Sequence, residues 1–495
     1  MAYYSLHAYD ADVWIPSFKG LGQSDEMANN LQYAFTAENV ETPRGVLQPM
    51  AAPEILSDSF DKKIETMASF HRRWYTGTGS KDWMVIATDG KLYTRQSGTT
   101  GSWTQLPYPT SVTAWQCNVW SWATYEQNGD DVLLLSNAKD GMIMVTPGTP
   151  WTVTKVTTPH NFGVIERYAE RIWGGAIDDE PDLLVYSRPY DPTDWTIAQQ
   201  GEQPEDGAGD IQQPSWDGDS FTALKAFGNQ LLAFKQHRVW RVLGTDPGEY
   251  SFKEQYGGGT AFPNTLAIDG ERILTIEKDG VSAYDGLTVN PFNRPLIERF
   301  WKTVNQAALD QACAVKFKQR YYLALPVGTS TVNNALLIFN IEEGTFLIHK
   351  DIYIESMLAT DEVLYATSST LPGKIMILHY DSWETGNAVN TPVRWETPWI
   401  DFNRKTIAKG GYEIYFSPEV KGAPVVFRFT IQNEKKSKSK LITVAPTTFK
   451  AKQRRIRFGG TSRRFRLIIE TLRGPTFATW RFLGGIQMVV ETDPD

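Results

Sequence analysis

A short β pattern recurs along this chain and consists of an apolar run, an Asp-Gly pair and a second apolar run. Asp-Gly tolerates the positive φ angles of a tight hairpin turn, so each copy predicts two antiparallel strands. One hairpin buries little apolar surface, whereas a ring of hairpins encloses a core. The repeat therefore predicts a β architecture built from similar units. Its three copies are centred on Asp89-Gly90, Asp140-Gly141 and Asp279-Gly280.

Seven strand-rich units follow one another through most of the chain. Aromatic residues make up 13% of it, and Gly and Pro are spread throughout, as expected for many short strands joined by turns. The units repeat at intervals on the order of 40–60 residues, close to the spacing of propeller blades. The sequence thus predicts an all-β fold with a β-propeller of six or seven blades; six applies if one unit is a decorating hairpin. The units cover residues 67–96, 119–145, 163–187, 223–242, 266–284, 314–340 and 354–378.

The pattern changes near residue 390. Downstream, apolar side chains recur at every second residue, which is typical of strands with one buried face. Several such strands in about 100 residues predict a β-sandwich. We therefore expect an N-terminal arm and first strands joining the propeller (residues 1–50), the propeller itself (51–390) and a basic C-terminal β-sandwich (391–495). The alternating residues include Val425, Phe427, Phe429 and Ile431.

Charge is distributed unevenly between the two parts. Residues 401–495 contain 19 Lys and Arg against 8 Asp and Glu, a balance of +11. The whole chain carries −8, which leaves −19 for residues 1–400. Such a split predicts two regions with different surroundings.

The basic residues of the C-terminal region form the one candidate binding surface in the sequence. Clustered Lys and Arg predict contact with DNA phosphates or with an acidic partner. The alternative is the solvated face of a sandwich, since the basic residues near position 465 also alternate with apolar ones. The candidate residues are Lys435, Lys436, Lys438, Lys440, Arg454, Arg455, Arg457, Arg463, Arg464 and Arg466.

The sequence contains no recognisable catalytic or metal-binding motif. The six histidines, at positions 7, 71, 160, 237, 349 and 379, lie far apart, and no His-Glu-x-x-His, paired-Cys or EF-hand spacing occurs. Gly257-Gly258-Gly259-Thr260 lacks the Lys and the helix of a phosphate loop. We therefore predict no catalytic residue, no metal and no cofactor.

Loop carboxylates leave one enzymatic alternative open, because glycosidases use two carboxylates some 5–10 Å apart. We treat these loop residues as solvated by default. The candidates are Asp130, Asp131, Asp178, Asp179, Glu180, Asp182, Glu205 and Asp206.

The sequence shows no long apolar run, and no basic segment followed by an apolar one near residue 1. We therefore expect neither a membrane-spanning segment nor a signal peptide. Cys117 and Cys313 are too few and too far apart for a disulfide framework. Assembly in a reducing cytoplasm is the simplest interpretation.

Three stretches of the chain resemble phage tail-nozzle proteins, which are also called packaged-DNA stabilisation or tubular tail proteins of short-tailed phages. In this family a pattern of the type Ala-x-Asn-Val and then Gly-x-Leu precedes the first blade. Later patterns include Arg-Ile/Leu-Trp and Asp-Pro-Thr-x-Trp. The matching residues here are 37–49, with Ala37-Glu38-Asn39-Val40 and Gly45-Val46-Leu47; 168–195, with Arg171-Ile172-Trp173, Val185-Tyr186-Ser187 and Asp191-Pro192-Thr193-Asp194-Trp195; and 224–240.

The resemblance implies a structural virion protein without enzymatic activity. It implies a homohexameric ring in the tail that extends the DNA channel below the portal and adaptor. Such a ring retains packaged double-stranded DNA until ejection, is assembled in the host cytoplasm, and has the adaptor, the portal and tail fibres or a tail needle as partners. The basic C-terminal region departs from the family pattern, because such channels tend to be lined with acidic residues. This implies a peripheral or docking role for residues 391–495.

Two other functions fit the same composition. A tail-tip receptor-binding or carbohydrate-binding propeller would use the abundant aromatic residues to hold sugars. A propeller glycosidase would use the loop carboxylates. Tight sugar binding by an isolated monomer would favour the first alternative. Loss of polysaccharide cleavage on replacing Asp178, Asp182, Glu205 and Asp206 would favour the second.

Overall fold

A computed structural model describes most of the chain. The described residues are 9–23, 30–72, 77, 81–99, 102–110, 112–127, 130–212, 219–255, 259–379, 382–385, 388–389, 391–400, 409–447, 453–459, 464–472 and 478–492. Strands dominate, as expected from the hairpin repeat, and seven four-stranded antiparallel units follow one another in the chain.

These units are the blades of a β-propeller, so the sequence prediction of a propeller is confirmed and the blade number is seven. Blade one has strands Thr66–His71, Asp82–Thr88, Lys91–Gln96 and Thr104–Gln105; blade two has Ser121–Gln127, Asp130–Asn137, Gly141–Thr146 and Thr152–Lys155; blade three has Val164–Tyr168, Arg171–Gly175, Leu183–Tyr186 and Gly209–Gln212. Blade four has Phe221–Phe227, Gln230–Lys235, Val239–Leu243 and Ser251–Gln255; blade five has Ala267–Asp269, Arg272–Glu277, Gly280–Tyr284 and Val289–Pro291; blade six has Cys313–Phe317, Arg320–Leu325, Ala335–Asn340 and Thr345–Lys350.

Blade seven closes the ring with a strand from the other end of the chain. Its first three strands are Ser356–Ala359, Leu364–Thr367 and Lys374–Ile377, and its fourth is Glu54–Ser59, which pairs antiparallel with Lys374–Ile377. The first strand of blade seven also contacts the first strand of blade one. The propeller is thus a ring closed within blade seven, where strands from the two ends of the chain pair. We call the interface between blades seven and one the seam.

Apolar side chains fill the spaces between neighbouring blades. Separate buried clusters join blades one and two, two and three, three and four, and four and five. A further cluster crosses the seam, where Met67 and Ile86 of blade one pack with Tyr365 and Ile375 of blade seven. Each blade therefore depends on its neighbours for burial, as expected for a repeat whose single unit buries little.

The three Asp-Gly pairs have different roles. In blade one, Asp89 has φ 51° and Gly90 has φ 68°, so both residues adopt the left-handed conformation expected of a tight hairpin turn. In blade two, Asp140 precedes a left-handed Gly141, and its carboxylate accepts the backbone N–H groups of Gln116 and Cys117. In blade five, Gly280 already pairs with Glu277, so the turn consists of Lys278 and Asp279. All three copies form hairpins, but only the first has positive φ at both residues.

Two further sheets are built from the terminal parts of the chain. One has four strands in the order Tyr9–Ile15, Thr479–Thr492, Lys409–Lys421 and Arg454–Phe458. The other extends blade six into a nine-stranded sheet by adding Thr36–Glu38, Arg394–Glu396, Phe465–Thr471, Val425–Asn433 and Ser437–Val444. A two-stranded sheet of Val40–Glu41 and Gln48–Pro49 lies beside them. Among the described residues the helices are short: Glu298–Trp301, Ser382–Thr385 and five 3-10 turns at Pro43–Gly45, Pro204–Asp206, Pro263–Thr265, Arg294–Ile297 and Gln306–Gln311.

The four-stranded sheet faces the added part of the nine-stranded sheet through aromatic side chains. Phe416 and Phe482 on one side contact Phe427 and Phe429 on the other, with ring centroids between 4.5 and 6.4 Å apart. The alternation that predicted one buried face is confirmed, because residues 425, 427, 429 and 431 are all buried.

Strand pairing connects the predicted N-terminal arm, the propeller and the C-terminal region. Within the described part of residues 1–50, Tyr9–Ile15 pairs with Thr479–Thr492. Thr36–Glu38 lies between blade six and the strand Arg394–Glu396, parallel to the first and antiparallel to the second. One apolar core also runs from blades five to seven into the terminal sheets. Sequence periodicity marks strands but not their partners, so this continuity is visible only in three dimensions.

His349 gives this structure a dependence on pH. Burial within blade six lowers the pKa of the ring from 6.5 to about 4. Between these values the unfolded chain binds a proton that the folded protein does not, so stability falls as the pH is lowered from 6.5 toward 4. At pH 5 the expected loss relative to neutral pH is on the order of 2 kcal/mol. Urea unfolding at pH 7.5 and pH 5 should show this loss in the wild type and a smaller loss in His349→Gln. Equal losses in both proteins would contradict the assignment.

Candidate functional site

The exposed lysines of the C-terminal region lie on one sheet edge. Ser437–Val444 is the last strand of the nine-stranded sheet, and a turn at residues 433–436 leads into it. Asn433 fixes this turn, because its side-chain oxygen accepts the backbone N–H groups of Lys435 and Lys436 at 3.0 and 2.6 Å. We call Lys435, Lys436, Lys438 and Lys440 the lysine edge. All four are exposed, and none of them forms an ion pair with a carboxylate within the described parts of the chain.

A cavity of about 330 Å³ opens beside the lysine edge, between the two facing sheets. Lys435, Lys436 and Lys438 lie along it, and the Lys438 ammonium donates to the carbonyl oxygen of Gly459. Its apolar lining includes Phe458, and Lys440 places its ammonium 5.7 Å from the centre of that ring. Two of the four lysines are therefore held in place by neighbouring groups.

The predicted arginines mostly have structural partners. Arg455 and Arg457 both pair with Glu413, and the hydrogen bond from Arg455 lowers the pKa of that carboxyl to about 2. Arg464 donates to Glu434 at 2.6 Å. Arg466 pairs with Glu396, which is only 2% exposed. These arginines neutralise carboxylates on neighbouring strands and so contribute little free positive charge.

The structure therefore divides the ten predicted basic residues. The lysine edge and Arg454 are exposed and without a carboxylate partner among the described residues, whereas Arg455, Arg457, Arg464 and Arg466 are paired. Arg463 lies outside the described residues. Lysines on an edge strand discourage pairing with another sheet edge. They also leave a positive surface for an acidic partner.

A second candidate site is a cavity lined by residues of blades one, two, six and seven. Its volume is about 520 Å³, and the lining residues lie at or near the first strands of these blades. His71 Nδ1 lies 2.7 Å from Asp82 Oδ1, and the backbone N–H of Asp361 donates to Asp82 Oδ2 at 3.2 Å. Sequence spacing gave no signal for this cluster, because 279 residues separate Asp82 from Asp361.

The carboxylates considered for a glycosidase have different neighbours in the structure. Asp182 pairs with the buried Lys235, and Asp178 lies 4.0 Å from Lys139 on the surface. The carbonyl oxygen of Glu205 accepts a hydrogen bond from the buried Arg171. Asp131 is 7% exposed and lies opposite Glu126 in blade two. The Asp182 carboxylate thus takes part in the scaffold of blades three and four, whereas Glu205 is held through its backbone and its side chain is exposed.

Comparison with known proteins finds similarity of structure only. No protein-family model matches the chain, and no curated protein sequence matches it. Solved structures match over about two thirds of the chain. The U3-55K structure matches with a TM-score of 0.43 and 8% identity, over 66% of this chain and 99% of that one. The Cps50 (Swd1) β-propeller domain of Myceliophteria thermophila has a TM-score of 0.40 and 11% identity, over 64% and 100%. The Pan2 WD40 domain of Neurospora crassa has a TM-score of 0.39 and 10% identity, over 65% and 90%.

Within the part of the chain that the structure describes, no helix is both long and apolar enough to cross a membrane.

Proposed function

We propose that this chain is a structural virion protein: a subunit of a homohexameric tail nozzle ring that extends the DNA channel below portal and adaptor. In this role it retains packaged double-stranded DNA until ejection. The observation that carries the proposal is the position of the residues that resemble nozzle proteins. They build the junction between propeller and terminal sheets, and they build blade three.

Asn39 lies at the centre of that junction. It is 3% exposed and has φ 58°, a conformation that Asn tolerates better than most residues. Its side chain donates to the carbonyl of Pro392 at 2.9 Å and accepts the backbone N–H of Lys350 at 2.7 Å. Asn39 thus joins blade six to the start of the C-terminal segment. The Ala-x-Asn-Val pattern therefore has a structural role at this position.

Gly45 is required for the same junction. It has φ +79°, and a Cβ atom there would lie 2.6 Å from Cβ of Ser17. Any side chain at this position would push apart the two segments that precede the propeller. The Gly-x-Leu pattern is explained by this close approach.

The matching residues of blade three also form scaffold contacts. Trp173 is fully buried, and its ring nitrogen donates to the carbonyl of Tyr168 at 3.2 Å. Asp191 accepts both the backbone N–H and the hydroxyl of Thr193, which closes an Asx turn. The Trp195 ring nitrogen donates to the carbonyl of Pro192 at 3.2 Å. The residues of blade three that match the nozzle-protein patterns therefore stabilise the fold, which supports a structural role for the protein.

The lysine edge supplies a surface for assembly. Residues 1–400 carry a net charge of −19, so each copy of this chain combines an acidic region, residues 1–400, with the positively charged lysine edge. A head-to-tail contact between unlike surfaces generates a closed ring when the rotation between copies closes. We assign the lysine edge to contact with the acidic surface of the next subunit.

Native mass spectrometry of the purified full-length protein tests the ring. We expect a complex of six copies, and cryo-EM of purified particles should place a six-fold ring of this protein on the tail axis. A protein that stays monomeric under all assembly conditions and is absent from virions would refute the proposal. Tight sugar binding by such a monomer would support the receptor-binding alternative instead.

The lysine edge makes a separate prediction. We expect that changing Lys435, Lys436, Lys438 and Lys440 together to Glu weakens self-association at least tenfold, because the contact becomes repulsive. The fold should be retained, since all four side chains are exposed. Sedimentation at increasing salt provides the measurement, and wild-type rings should weaken as salt rises. A matched control changes Lys62, Lys155, Lys253 and Lys278 to Glu; these lysines are exposed and form no ion pair within the described residues. Equal association of both variants would rule out this interface.

A further inference from the structure

Three potential metal ligands converge at the seam of the propeller. They are His71, Asp82 and Asp361, and one ligand atom from each lies within 4.8 Å of the other two. Two come from blade one and the third follows the first strand of blade seven. The cluster lies at the cavity of about 520 Å³ described above.

Strand pairing holds the first two ligands together. His71 and Asp82 are directly opposite each other in the first two strands of blade one. Asp361 lies in the turn between the first two strands of blade seven, and its backbone N–H is bonded to the Asp82 carboxylate. Asp82 is 8% exposed, whereas the side chain of His71 is 45% exposed and Asp361 is exposed. One ligand is thus fixed, and the other two have room to adjust to an ion.

One imidazole nitrogen and two carboxylates suit a divalent transition metal. Zn²⁺ binds nitrogen and oxygen ligands at about 2.0–2.2 Å, and three protein ligands leave further positions for water. Mg²⁺ prefers oxygen ligands and is a poor match for imidazole. Lys316 and Lys318 of blade six line the same cavity, so their charge lowers the affinity for a cation. The expected affinity is therefore lower than that of the same three ligands without these lysines.

We propose that His71, Asp82 and Asp361 form a divalent transition-metal site that joins the first and last blades. Other polar contacts already cross this seam. Arg95 pairs with Asp58 on the closing strand, and the backbone N–H of Gly98 donates to the hydroxyl of Tyr365 at 2.8 Å. A metal ion bound by side chains of blades one and seven would hold the two blades together, and this connection is lost when the ion is removed.

Titration of the full-length, chelator-treated protein with Zn²⁺ tests the site. Isothermal calorimetry should show saturable binding of one Zn²⁺ ion per chain, and Mg²⁺ should bind at least tenfold more weakly. His71→Gln and Asp361→Asn should each weaken Zn²⁺ binding at least tenfold, and both changes replace exposed side chains. Co²⁺ gives an independent readout, because its visible absorption should appear in the wild type and be lost in both variants.

The bridging role has its own measurement. Zn²⁺ should raise the urea midpoint of the wild type, since it binds the folded state, but not that of Asp361→Asn. His237→Gln replaces an exposed histidine of blade four and should behave like the wild type. Absence of saturable Zn²⁺ binding would overturn the proposal. Wild-type affinity in Asp361→Asn would overturn the link between the blades.

Discussion

Replacing Arg171 with Ala is expected to destabilise the protein by about 3–5 kcal/mol. The Arg171 side chain is 1% exposed, and its guanidinium donates to the carbonyl oxygens of Ser187 and Gly207 at 2.8 and 2.6 Å. It also donates to the carbonyl oxygen of Glu205. Hydrogen bonds from a charged donor contribute about 1.5–3 kcal/mol each, and their loss leaves buried acceptors unpaired. The central carbon of the guanidinium also lies 5.2 Å from the centre of the Tyr186 ring.

Urea unfolding of the purified variant measures this loss. Arg171→Lys should recover only part of it, because an ammonium group cannot present the planar fork of the guanidinium to three carbonyls. Arg167→Ala is the matched control in the same blade. Arg167 is 32% exposed and pairs with Glu170 on the surface, so its removal should change stability little. A small effect at Arg171 would show that these carbonyls find other donors.

Replacing Phe482 with Ala should have an effect of similar size. Phe482 is fully buried between the two facing sheets and contacts the rings of Phe427 and Phe429 at 5.2 and 6.4 Å. It also packs against Phe416 on its own sheet at 5.4 Å. Truncating a buried Phe to Ala costs about 3–5 kcal/mol through lost transfer energy and the cavity left behind.

The shape of the unfolding curve tests the continuity of the fold. Since one apolar core joins blades five to seven to the terminal sheets, Phe482→Ala should shift the main unfolding transition of the whole chain. A separate early transition with an unchanged propeller would show that the terminal sheets unfold on their own. Trp14→Ala, at a residue 55% exposed on the first strand, is the control and should leave the midpoint nearly unchanged.

The repeating part of this fold could be predicted from the sequence because each blade is a local structure. Asp89-Gly90 fixes its hairpin through two backbone angles, and that information lies within a few residues. The strand Glu54–Ser59 could not be placed in blade seven, because its partner lies about three hundred residues away and its own residues are mostly exposed. Edge strands have a weak hydrophobic pattern, so pairing over such distances leaves little trace in a single sequence.

The candidate sites could likewise be predicted only in part from the sequence. Basic composition identified the C-terminal cluster, but it could not separate Lys436 from Arg457. Arg457 lies directly opposite Glu413 on the neighbouring strand, and only that register reveals the ion pair. The cluster at His71 was not predicted, since metal motifs are recognised by short spacings and Asp361 comes from another blade.

The closing strand sets a constraint on synthesis in the cell. Glu54–Ser59 leaves the ribosome early, yet its partner Lys374–Ile377 is translated more than three hundred residues later. At translation rates of about 5–20 residues per second, the nascent chain holds this β edge without its partner for on the order of half a minute. Tyr9–Ile15 waits longer still for Thr479–Thr492. Ring closure therefore cannot begin until Lys374–Ile377 has been translated, and the short, polar closing strand limits premature association between nascent chains.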